Sequence, residues 1–169
     1  MRIFSQLVGG ALVGTSVLAS GCSRQDAPTQ QIIRSLQTEM AQSEGPKEHF
    51  VYNAIMDLLK EKIGYGNRPN PTFTEYAQRK QAIAEIATSL DEKGQVSLVK
   101  MLVDLYQKLS SDDQFLLDVA EYPAQMQEAL LDASPRAMIQ VMRENTLNQL
   151  SDLALCVTGQ RLSEENLMR

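Results

Sequence analysis

Residues equipped for chemistry are few in this chain of 169. His49 is its only histidine, so a catalytic triad has one candidate base and a His-rich zinc site lacks its ligands. Its place near a helix start reads as a cap or surface group rather than a general base. Ser97-Leu98-Val99-Lys100 sets a hydroxyl and an amine on neighbouring turns, a spacing that can activate a serine for acyl transfer. The companion motifs S-D-N and K-T-G are missing, so the spacing is read as chance. Glycoside cleavage needs a positioned carboxylic acid above a sugar groove. The chain has no Trp to line one, and Asp57/Glu61, Asp112/Asp113 and Glu164/Glu165 read as solvated faces or first-turn charges. Neither a D-x-D-x-D-G calcium loop nor a glycine-rich phosphate cradle occurs in the sequence.

That leaves the thiols, Cys22 and Cys156, the only two cysteines. Cys22 ends a distinctive segment. Arg2 gives the start a positive charge, and an apolar stretch runs from Leu7 to Ala19, diluted by small residues. It is too short to cross a hydrocarbon core of about 30 Å, which takes about 20 apolar residues in a helix. A charged start, an apolar middle and a small-residue end are the parts of an export signal.

Ala19-Ser20-Gly21-Cys22, preceded by Leu18, resembles the lipobox of bacterial lipoprotein precursors. The resemblance covers residues 1–22. It implies that Leu18, Ala19, Ser20 and Gly21 are read by the signal peptidase and that the chain is cut before Cys22. It also implies that the Cys22 thiol carries diacylglycerol and the new N-terminus an acyl group. The family usually has Leu three residues before the cysteine; here that place holds Ala19. Ser23 stands where Asp often signals retention in the inner membrane, which implies the outer membrane, with the domain facing the periplasm. A general signal peptidase would accept the small pair Ala19 and Gly21, so a secreted, lipid-free product is the alternative.

Cutting before Cys22 removes Arg2, one of 16 basic residues against 21 acidic ones, for a mature charge of about −6. With a pI near 4.9 and no basic cluster, nucleic acid is excluded as a partner. The same charge disfavours lying flat on anionic lipid, so membrane attachment falls to the acyl chains. With Cys22 consumed by lipid, no intrachain disulfide can form. Cys156, among Leu153, Ala154, Leu155 and Val157, is then expected as a small buried core residue, with an intermolecular disulfide as the sharper reading.

The elements beneath these residues are helical. From Thr29 onward apolar residues recur at three- and four-residue spacing, and no segment alternates like a strand. We expect an all-α, compact bundle of about five or six helices. Residues 1–21 are the signal, 22–30 the lipidated end and a polar tether, 31–159 the helical domain, and 160–169 a charged tail. A first helix ends near Ser43 and a second at Gly64. Thr72-x-x-Glu75 caps a third that runs to about Gly94 and carries Phe73 on its core face. Val96 to Leu109 cover most of a helix surface, the mark of a central element. Ser111-x-x-Gln114 caps a short helix broken by Pro123. Ser134-Pro135 opens the last one, which Gly159 ends.

Two places could meet a protein partner. Met138 and Met142 lie at i,i+4, and flexible thioethers suit a groove that accepts a helix, although core filling explains them equally well. The Gly- and Pro-rich loop 64–72 exposes Tyr65 and Arg68, with a plain connector as the preferred reading. The functional expectation is a non-enzymatic scaffold, pilot or assembly factor of an envelope machine such as a secretion or conjugation apparatus. No cofactor or metal is expected beyond the lipid on Cys22. An immunity or exclusion lipoprotein is the alternative, and a cell-wall hydrolase ranks below both.

Overall fold

Seven helices and no strand occupy residues 26–65 and 70–164, the residues described by the computed structural model. The first, α1 (Ala27–Gln42), starts inside the stretch expected to be tether. The Asp26 carboxylate caps it, accepting the Thr29 N–H at 2.9 Å and the Thr29 hydroxyl at 2.6 Å, with Pro28 in the first turn. Asp26 also accepts from Gln78 at 3.1 Å, which ties the start of α1 to α3.

Helix α2 (Lys47–Ile63) buries Val51, Ile55, Leu58 and Leu59 and stops at Gly64, as expected. Helix α3 (Phe73–Ala87) opens on the expected capping box. Glu75 N–H donates to the Thr72 hydroxyl at 3.2 Å, and Thr72 N–H to the Glu75 carboxylate at 2.9 Å. Its end differs from expectation. The helix stops at Ala87, and Gly94 sits in the first turn of α4 (Glu92–Ser111), where its N–H donates to the capping Asp91 at 2.7 Å.

The central place belongs to α3 rather than to α4. Helix α3 packs against α1, α2 and α7 (Ala137–Thr158). Ala82, Ala84 and Ala87 are buried along it, and such short side chains let neighbouring backbones come close. Helix α4 keeps one face in solvent, with Val96 65% exposed. Phe73, expected in the core, is 86% exposed.

Caps also shift in the last third. Asp112, not Ser111, caps the short α5 (Asp113–Val119) by accepting the Phe115 N–H at 2.9 Å. Pro123 starts α6 (Ala124–Asp132), which buries no residue fully. Helix α7 begins after Arg136, two residues beyond the Pro135 start expected. It ends at Gly159, whose φ of +74° is the left-handed conformation that glycine adopts without a Cβ clash. Beyond it the chain folds back. Leu162 is buried, and its carbonyl accepts the Ser151 hydroxyl, so the charged tail is anchored at that point.

Leu98, Leu102 and Leu109 from α4 meet Leu150 and Leu153 from α7 and Leu116 from α5 in one core. Each such side chain, taken fully out of water, contributes roughly 1.5–3 kcal/mol. No helix among the described residues is long and apolar enough to cross a membrane.

Candidate functional site: an apolar groove beside helix α7

Gly64 ends α2 and turns the chain so that the Tyr65 N–H donates to the Ala120 carbonyl at 2.6 Å, across the end of α5. This crossing lays the Tyr65 ring on that of Tyr122, with centroids 4.6 Å apart and planes 24° from parallel. Tyr122 is itself held firmly. Glu121, at φ 57°, turns the chain out of α5, and the Tyr122 N–H returns to the Leu117 carbonyl at 3.1 Å. From α6 the Gln127 amide donates to the Tyr122 carbonyl at 2.8 Å and to Asp118 at 3.0 Å.

Facing Tyr122 is the first half of α7. Met138, Val141, Met142 and Asn145 follow one another at i, i+3, i+4 and i+7, so they form a single stripe. With Tyr122 and Ala137 they enclose a groove of about 390 Å³. The stripe is wet at two of its positions, Met138 at 65% and Val141 at 67% exposed, whereas Met142 is half-buried against the core. Ile139, Thr146, Leu150 and Leu153 point the other way, into the core. Helix α7 therefore carries two apolar stripes and buries one. Scattered apolar residues on a surface mean little, whereas a continuous patch marks an interaction site.

The wall is fixed from behind. Arg143 donates to the Leu109 carbonyl at 3.1 Å and pairs with Asp113, which also binds Arg136 at 2.6 Å. The hydrogen bond from Arg143 first, and then that from Arg136, hold the Asp113 carboxyl below its ordinary pKa of 3.8. One carboxylate thus ties α7 to the α4–α5 junction.

Met138 and Met142, singled out from the sequence, both line this groove, whereas Tyr65 is linked to it only through its stack on Tyr122. Tyr122 and Val141 were missed. Val141 carried a readable signal, three residues after Met138; Tyr122 carried none, because its role depends on a stack with a residue distant in the chain. Arg68 lies outside the described residues, as do Leu18, Ala19, Ser20, Gly21, Cys22 and Ser23.

Among the described residues, the remaining candidates stand apart from the groove or serve as caps and anchors. His49 is exposed in the first turn of α2, and Ser97 and Lys100 make no hydrogen bond to each other. Glu61 pairs with Arg79, its Oε1 3.1 Å from Nη2. Asp112 serves as a cap and Asp113 as an anchor. Among the described residues no group of three or more His, Cys, Asp or Glu side chains could hold a metal ion. Cys156 is buried as expected, 7% exposed.

Other depressions among the described residues include two further ones. One of about 460 Å³ lies at the far end of α7, between Val96, Val99 and Val157. The other, about 230 Å³, separates α1 from α2 beside Phe50 and Arg79. Neither includes a residue that the sequence marked for contact. No family model matches this chain, and neither a curated protein nor a solved structure matches it.

Proposed function

We propose that this chain is a lipid-anchored, non-enzymatic adaptor of the bacterial outer membrane. In this reading Cys22 carries the acyl groups and the helical domain faces the periplasm. The groove beside α7 receives a protein of an envelope machine, such as a secretion or conjugation apparatus. The observation that carries the reading is the exposed pair Met138 and Val141, with the half-buried Met142, in a groove that Tyr122 also lines. Its side chains are adaptable, and their solvent exposure is a cost that a bound partner would remove.

The anchor supports the same reading. Helix α1 begins at Ala27, so the link from Cys22 is residues 23–26, which span at most about 14 Å. The domain that carries the groove is thereby held close to the membrane.

The test is a pull-down of the anchored protein from solubilised envelope, with the Val141→Asp variant as control. An envelope protein captured by wild type and lost with the variant supports the adaptor. Identical captures from both, or none, would sink it. An incoming toxin as the captured partner would replace the assembly role with that of an immunity lipoprotein.

A further inference from the structure

We infer that the groove beside α7 takes a short, cationic amphipathic helix of a partner protein; the inference rests on the adaptor reading and specifies the chemistry of its occupant. Charge is divided unevenly along the chain. Residues 1–111 hold 12 basic and 11 acidic side chains, whereas residues 112–169 hold four and ten, and no lysine follows Lys108. The acidic part is the part that builds the groove. Glu121 adjoins Tyr122, Glu144 lies one turn along α7 from Val141, and Asp118, Glu128 and Asp132 lie on α5 and α6.

The nearby cations do not cancel these groups. Arg136 and Arg143 share Asp113, and the Lys108 ammonium lies 4.1 Å from the centroid of the Phe115 ring on α5, which leaves two surplus positive charges against the five carboxylates just named. Asp118 accepts from the Gln114 and Gln127 amides and Glu144 from that of Gln140, none of which carries charge. Within the described residues no ion pair reaches Glu121, Glu128 or Asp132.

An apolar floor whose lining residues Tyr122 and Asn145 are flanked in sequence by Glu121 and Glu144 selects its occupant by chemistry. A floor with side chains at i, i+3, i+4 and i+7 fits the ridge of another helix, which presents knobs at the same spacing. Lys and Arg beside those knobs would meet the carboxylates and raise the association rate. A second copy of this chain would bring its own Glu121 and Glu144 against these, and an anionic lipid surface would be repelled in the same way. Both are disfavoured.

The test uses the full-length acylated protein in neutral detergent and two labelled 16-residue helical peptides, with binding to empty micelles subtracted. Both peptides carry Leu at i, i+3, i+4 and i+7; one is flanked by Lys and the other by Glu. The Lys peptide should bind at least tenfold more tightly in fluorescence anisotropy. Raising salt should narrow that gap, because screening shortens the reach of charge to a few ångströms. The Glu121→Lys/Glu144→Lys variant should abolish or invert the preference, and Val141→Asp should weaken the Lys peptide more than tenfold with an unchanged far-UV spectrum.

Equal binding of the two peptides would overturn the inference, as would Lys-peptide binding indifferent to Val141→Asp. A wild-type dimer that Val141→Asp dissociates would show a second copy to be the occupant, and overturn it too. The adaptor reading fails separately. Charge-selective peptide binding with an empty pull-down removes the adaptor and keeps the groove's chemistry, whereas a captured partner without charge selectivity does the reverse.

Discussion

Arg143 and Asp113 stand 30 residues apart in sequence and in contact in the fold, the guanidinium of one on the carboxylate of the other. Arg143 is 15% exposed and Asp113 24%, so water screens the pair only in part. The contact sets the position of the very turn of α7 that carries Val141 and Met142.

Removing that contact should therefore loosen the groove wall as well as destabilise the domain. Arg143→Met keeps the stem and deletes the charge and its hydrogen bonds. We expect a loss of about 1–2 kcal/mol in urea unfolding, the range for a partly screened, charge-assisted bond.

The same pair predicts an acid dependence. Asp113 is held below its ordinary value of 3.8 when folded, so the folded state binds this proton less readily than the unfolded chain does. The stability it contributes is complete above the unfolded pKa and is lost as pH falls through the folded one. Between pH 7 and 5 this contribution should be flat, and below about pH 4 it should decline. Arg143→Met should flatten that decline, which denaturant titrations at a series of pH values would show.

Ala82 is fully buried on α3, which packs against α1, α2 and α7. Ala82→Leu should cost about 1–3 kcal/mol through overpacking. Val96→Ala, at an exposed site of greater hydrophobicity, should stay within about 0.5 kcal/mol. Thermal unfolding of both variants would compare them. A larger loss at Val96 would mean that α4, not α3, lies at the centre.

Gly159 ends α7 at φ +74° with open space around the position of a Cβ. The strain of Gly159→Ala is then purely that of the backbone, about 1 kcal/mol, and Gly159→Asn should lose less because Asn tolerates this conformation. A melting temperature unchanged by the alanine would contradict the left-handed cap.

Cys22 offers the sharpest chemical test. A thioether lipid on Cys22 and an intrachain disulfide to Cys156 exclude each other in a chain with two cysteines. If the lipobox reading holds, cells should incorporate labelled palmitate into wild type and Cys156→Ser alike, and not into Cys22→Ser. Absent label, together with a gel mobility that shifts on reduction, would assign Cys22 to a disulfide and the chain to the secreted class.

What the sequence determined by itself is local. The capping box of Thr72 and Glu75, the stops at Gly64 and Gly159, and the helical period from end to end all involve residues within a turn of one another. Where two local signals competed, proximity alone did not decide. Asp112 outranks Ser111 as a cap, and Asp91 draws Gly94 into the helix that it was expected to precede.

Only the tertiary structure decided which apolar face is buried. Periodicity shows that α7 is apolar on two sides, but Ile139 is buried and Val141 is not because α2, α3 and α4 leave that side uncovered. Phe73 and Val96 are exposed for the same kind of reason: burial depends on what packs opposite, and that is contributed by distant parts of the chain. The groove itself was out of reach of the sequence. Tyr65 meets Tyr122 because α2 ends against α5, a juxtaposition that no spacing along the chain encodes.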